Sequence, residues 1–83
     1  MAEGVEAQTR QTLENVRVCL EAAGCGLADV VKVTAYLADM ADFETYNAVY
    51  REFFTQPYPA RTTVGAALAP GLRVEIEAVA KLP

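Results

Sequence analysis

An α+β domain, with two helices covering one face of a β-sheet in the order α-β-α-β-β, is predicted by three observations. Apolar residues recur at spacings of three and four over residues 6–23 and again over 43–54, the repeat of a helix with one buried side. They alternate over residues 30–37 and 73–80, the repeat of a strand. Gly24, Gly26 and the triplet Ala69-Pro70-Gly71 punctuate these stretches as stops and turns.

The first helix, Glu6 to Ala23, carries an apolar stripe of Leu13, Val16, Leu20 and Ala23, with Arg10, Gln11, Glu14, Arg17 and Glu21 on its other side. Leu27-Ala28-Asp29 makes one turn into the strand Val30 to Leu37. There Val31, Val33, Ala35 and Leu37 form an apolar face, and Val30, Lys32, Thr34 and Tyr36 a mixed one. Asp39 or Asp42 caps a second helix that runs to about Phe54. Its stripe of Phe43, Tyr46, Val49, Tyr50, Phe53 and Phe54 reads as core. Asn47 falls inside that stripe or at its border, where its amide needs either neighbouring backbone or a ligand.

Two prolines around Tyr58 make residues 55–60 an extended connector that sets the direction from which Arg61 enters. The strand from Ala60 to about Leu68 puts Arg61, Thr63, Gly65 and Ala67 on one small-residue face, leaving room beside the guanidinium for a pocket or for a closely packed neighbour. The final strand, Arg73 to Ala80, buries Val74, Ile76 and Ala78 and aims Glu75, Glu77 and Val79 the other way. Three strands leave edges whose unpaired N–H and C=O groups invite another chain.

The 83 residues are read as a single domain over 1–83, and a chain of this size buries only about 60% of its unfolded surface, so self-association is expected. The apolar fraction is 53%, and no apolar run approaches the roughly 20 residues that span a bilayer. No basic, apolar leader opens the sequence, so the expected location is cytoplasmic. A net charge of −4 argues against a nucleic-acid partner, whose phosphates need Lys and Arg. There is no histidine, which removes the commonest general base and zinc ligand and every Ser-His or Cys-His pair. Cys19 and Cys25 read as small packing residues rather than a disulfide or a metal pair.

The chemistry therefore rests on Arg61 and on Glu75 with Glu77. A guanidinium offers two parallel donors to a carboxylate, and a carboxylate can hold or deprotonate a water, so the expected ligand is an anionic small molecule. The competing reading makes these residues inter-subunit ion pairs. In a tight hairpin about Pro70-Gly71, Glu75 would lie on the order of 17 Å from Arg61. A neighbouring subunit or a wider connection has to close that gap.

The segments Glu6-Ala-Gln-Thr-Arg-Gln-Thr-Leu-Glu-Asn15, Leu20-Glu-Ala-Ala-Gly24, Asp29-Val-Val-Lys-Val-Thr34, Asp42-Phe43, Asn47-Ala-Val-Tyr50, Phe53-Phe54, Pro59-Ala-Arg-Thr62 and Val74-Glu-Ile-Glu-Ala-Val-Ala80 resemble, in order, the RidA or YjgF/YER057c/UK114 family. The resemblance implies a chorismate-mutase-like α+β fold, a homotrimer with clefts between subunits, and hydrolysis of 2-iminopropanoate or 2-iminobutanoate to 2-keto acids and ammonia without a cofactor. It implies that Arg61 holds the substrate carboxylate and Glu75 the attacking water, with Asn47 and Thr63 lining the cleft. Alternatives within the family are a non-catalytic binder of small carboxylates and a ribonuclease or translation-inhibitor role. The family's N-terminal β-hairpin region has no counterpart among these segments, so the expectation is an N-terminally shortened member. That region's backbone donors are expected to be missed, an oxyanion-type contribution of about 2.7–4 kcal/mol. Gly65 stands where the family commonly has a larger, charged residue.

Overall fold

The computed structural model describes residues 4–83. Its elements run α1 (Gly4–Ala22), β1 (Val30–Leu37), α2 (Phe43–Phe53), β2 (Ala60–Gly65) and β3 (Val74–Ala80), with short 3-10 turns at Leu27–Asp29 and Met40–Asp42. The α-β-α-β-β order and both helix-strand alternations follow the sequence periodicity.

Strand order was not contained in that periodicity. The sheet runs β2-β1-β3, so the two C-terminal strands are not neighbours and the tight hairpin about Pro70-Gly71 does not form. β1 instead pairs in parallel with β2, Val33 against Arg61 and Ala35 against Thr63, and antiparallel with β3, Val33 against Ala78 and Tyr36 against Glu75. β2 stops at Gly65 rather than near Leu68 because its partner β1 ends at Leu37, the last paired residue.

Side chains alternate across the sheet, so this register sorts every strand residue onto one of two faces. Val33, Ala35 and Leu37 are fully buried under the helices with Val74. Thr34 and Tyr36 face the other way with Glu75 and Glu77. Val31, expected on the apolar face, is 51% exposed while Val30 is 6% exposed, because the register slips by one residue between Val30 and Lys32.

α1 packs against β3 and α2. Its buried residues are Val5, Thr9 and Leu13, one turn apart, and the Thr9 hydroxyl donates to the Val5 carbonyl at 2.6 Å. Val16 and Leu20 are half-buried and Ala23 is exposed, so the stripe fades toward the C-terminus. Gln8 clamps α1 to the turn before β3, donating to the Gly71 carbonyl and accepting from the Arg73 N–H. Gly71 adopts φ 85°, a left-handed conformation that glycine reaches without steric cost. Tyr46, Val49, Tyr50 and Phe54 of the α2 side are buried in one apolar cluster with Val33, Ala35 and Leu37 of β1. Asp39 caps the turn into α2 by accepting from the Ala41 N–H, while Asp42 pairs with Arg73 at 3.2 Å. Cys19 is exposed, which corrects its reading as a packing residue, and Cys25 is half-buried. Both are free thiols.

Candidate functional site

Arg61 is the second residue of the outer strand β2 and stands beside Val33, so its side chain projects to the helix-covered face at the sheet edge. The small-residue face that was expected to leave space is roofed by α2. Phe43, Tyr46 and Tyr50 recur at three and four along that helix, with ring centroids 5.8 and 6.0 Å apart. The guanidinium carbon of Arg61 lies 4.5 Å from the Tyr50 ring centre, 5.6 Å from Phe43 and 5.7 Å from Tyr46. The electron-rich faces of these rings attract the cation and replace part of its hydration.

Asn47 completes the seat. Its side-chain oxygen accepts from Arg61 Nη1 at 2.5 Å, so the amide in the aromatic stripe is bonded to a side chain of β2. A guanidinium has five N–H donors, and no carboxylate engages this one among the described residues. Its remaining donors are available to a ligand. Thr63 stands two residues on, and its hydroxyl lies 3.1 Å from the Tyr46 hydroxyl, bracing β2 against α2.

Beside the guanidinium is a recess of about 280 Å³ lined by Asn47, Tyr50, Arg51, Tyr58, Pro59 and Arg61. Thr63 is not in that lining. The Tyr50 hydroxyl is buried and has no hydrogen-bond partner among the described residues. Burial pushes this phenol's pKa up, partly offset by the nearby Arg61 charge, so the hydroxyl stays a donor. A larger depression of about 840 Å³ runs along α1 from Gly4 to Glu14. Its ions are already paired with one another or with neighbours, Arg10 with Glu52 and Glu14 with Arg17, so it offers no free charge.

Glu75 is not brought to Arg61. It lies beside Tyr36 on the opposite face of the sheet. Two strand spacings and three residue steps separate the two backbones, about 14 Å. Arg61 therefore does not pair with Glu75 or Glu77 within one chain. On the open face Glu77 stands beside Thr34 and its carboxylate accepts from Tyr36, holding that phenol's pKa above its usual value, with Glu75 adding to the effect. Among the described residues no group of three or more His, Cys, Asp or Glu side chains is placed to share a metal ion.

Sequence reasoning missed Arg51 and the orphaned Tyr50 hydroxyl. Arg51 follows Asn47 by four residues, one helical turn along the same side, and that spacing was the available signal.

A family described as Endoribonuclease L-PSP matches residues 1–82. The chain is 48% identical over 84 residues to the 2-iminobutanoate/2-iminopropanoate deaminase of Salmonella typhimurium, covering 96% of this chain and 66% of that protein. It is 47% identical over 78 residues to the human protein of the same name, covering 93% of this chain and 57% of that protein. The chain thus spans less than two thirds of the length of these curated relatives. Among solved structures it superposes on RidA from the Antarctic bacterium Psychrobacter with a TM-score of 0.92 at 43% identity, covering 96% of this chain and 66% of that one. It matches a YjgF/YER057c/UK114 member from Mycobacterium tuberculosis with a TM-score of 0.93 at 36% identity, covering 99% and 71%. The two helices on a mixed three-stranded sheet are the fold shared with those structures.

Proposed function

Because this chain belongs to the endoribonuclease L-PSP family, the RidA or YjgF/YER057c/UK114 group, we propose that it hydrolyses short 2-imino acids and their enamine tautomers to 2-keto acids and ammonia. One observation carries the reading. In a chain with more acids than bases, Arg61 has no carboxylate partner among the described residues and is seated on three aromatic rings beside an open recess.

In this reading the Arg61 fork holds the substrate carboxylate, and Asn47 fixes the fork's direction and faces the ligand. Thr63 serves from behind by bracing Tyr46. Water adds to the C=N carbon as Glu75 takes one of its protons and the imine nitrogen gains one, giving a neutral carbinolamine. The nitrogen then takes a second proton and leaves as ammonia as the hydroxyl gives up its proton and its C–O bond becomes the ketone C=O, so that both protons gained by nitrogen are matched by the two lost from water. Water is the reaction's only co-reactant, so the proposal includes no cofactor.

Glu75 and Arg61 occupy opposite faces, so the proposal takes the glutamate from a second copy, in a homotrimer with clefts between subunits. The free thiols of Cys19 and Cys25 fit the reducing cytoplasm, where we place the protein. The test is to generate 2-iminopropanoate in situ and compare its hydrolysis by the wild type and by Arg61→Ala. Acceleration lost in the variant supports the reading. Equal rates, with no gain over buffer, remove it.

The separation of Glu75 from Arg61 also favours a second reading, a carboxylate-binding protein that uses Arg61 without catalysis. That version predicts a bound 2-keto acid, unchanged affinity in Glu75→Gln and no acceleration of imine hydrolysis.

A further inference from the structure

The five arginines divide into two sets. Arg10 pairs with Glu52 and Glu6, Arg17 with Glu14 and Glu21, and Arg73 with Asp42. Arg51 and Arg61 have no carboxylate partner among the described residues, although the chain carries eleven acids to seven bases. Both of these arginines line the same recess of about 280 Å³. Two neighbouring cations repel one another when the site is empty, and an anion between them relieves that repulsion. The lining also includes Tyr50, whose buried hydroxyl has no hydrogen-bond partner among the described residues.

We propose that Arg51 makes this a site for dianionic acids, namely short dicarboxylic 2-imino acids and the dicarboxylic 2-keto acids they yield. The inference rests on the carboxylate-gripping role proposed above for Arg61. Arg61, anchored by Asn47, takes the carboxylate next to the reacting carbon. Arg51 stands one turn further along α2 from Asn47, about 5–6 Å away at the level of Cβ, and takes the distal carboxylate. Tyr58 and Pro59 line the same recess, whose small volume of about 280 Å³ keeps the linking carbons few. Arg51 is exposed at the rim, so its contribution weakens with salt.

Titration calorimetry with 2-oxoglutarate and 2-oxobutanoate tests this without depending on turnover. The wild type is expected to bind the dicarboxylate about tenfold more tightly, the worth of one exposed charge-assisted hydrogen bond. Arg51→Gln should abolish most of that preference, and Arg61→Ala should weaken both acids. A wild type with no preference, binding of neither acid, or an Arg51→Gln that weakens both acids equally would overturn the inference.

A kinetic arm separates this from the deaminase reading. Imines are generated in situ from aspartate and from alanine by amino-acid oxidases, and Arg51→Gln should lower kcat/KM for the dicarboxylic imine about tenfold more than for the monocarboxylic one. Preference in binding without any hydrolysis sinks the deaminase reading and leaves the dianion site standing. Hydrolysis of the alanine-derived imine without a dicarboxylate preference does the reverse.

Discussion

Arg61 and Glu75 sit on strands that flank the same central strand, yet one lies under a helix and the other on an uncovered face. The Arg61 side is finished within the chain. Rings, an amide and a braced threonine hold the guanidinium in one place. On the Glu75 side Val64, Tyr36 and Glu75 stand abreast, Val64 and Glu75 exposed and Tyr36 half-buried. The contrast teaches that sharing a sheet does not bring residues together. The parity of the register decides, and here it places Arg61 and Glu75 on different surfaces.

The sharpest way to test that contrast is Glu75→Gln. Loss of a general base should lower kcat by about 10²–10⁴-fold while leaving the affinity for 2-oxobutanoate intact. An unchanged kcat would place the open face outside the site. Next comes stability. Tyr46 is fully buried at the centre of the platform, and Tyr46→Ala should cost about 3–5 kcal/mol in a urea titration, as for other large buried aromatics. Tyr36→Ala on the open face should cost far less, and equal losses would mean that the two faces are packed alike.

A smaller effect is expected from Arg61→Lys, which keeps the charge and loses the planar fork. KM for the imine should rise about tenfold with a lesser change in kcat. The least is expected at Glu52, whose pKa is lowered by the hydrogen bond from Arg10. A depressed carboxylate adds stability above its ordinary pKa and loses it as pH falls through the lowered value. The Tm gap between wild type and Glu52→Gln should therefore be present at neutral pH and close in acid. A gap that persists in acid would contradict the pairing.

Much of this was legible in the sequence because helix and strand periods are local. The aromatic stripe of α2, the alternation of β3 and the side of β2 that carries Arg61 all follow from spacing alone. What pairs with what is not local. The insertion of β1 between β2 and β3 is set by long-range strand pairing, and no residue near Pro70-Gly71 records it. The one-residue slip after Val30 exchanges Val30 and Val31 between faces without changing composition. Asn47 was visible as a polar residue in an apolar stripe, but its partner lies 14 residues away on another element. The filling of the small-residue face was equally hidden, since Thr63 and Gly65 state only that space exists, and Tyr46 takes it from the helix.

The central claim is that Arg61 of one copy and Glu75 of another complete a single site. Purified Arg61→Ala and Glu75→Gln, each inactive alone, can be unfolded together, refolded as a mixture and assayed for imine hydrolysis. The account predicts recovery of about a quarter of wild-type activity, because random mixing in a closed ring puts both intact residues across about one interface in four. A mixture that stays as inactive as its parents, with assembly confirmed by sizing, would contradict it.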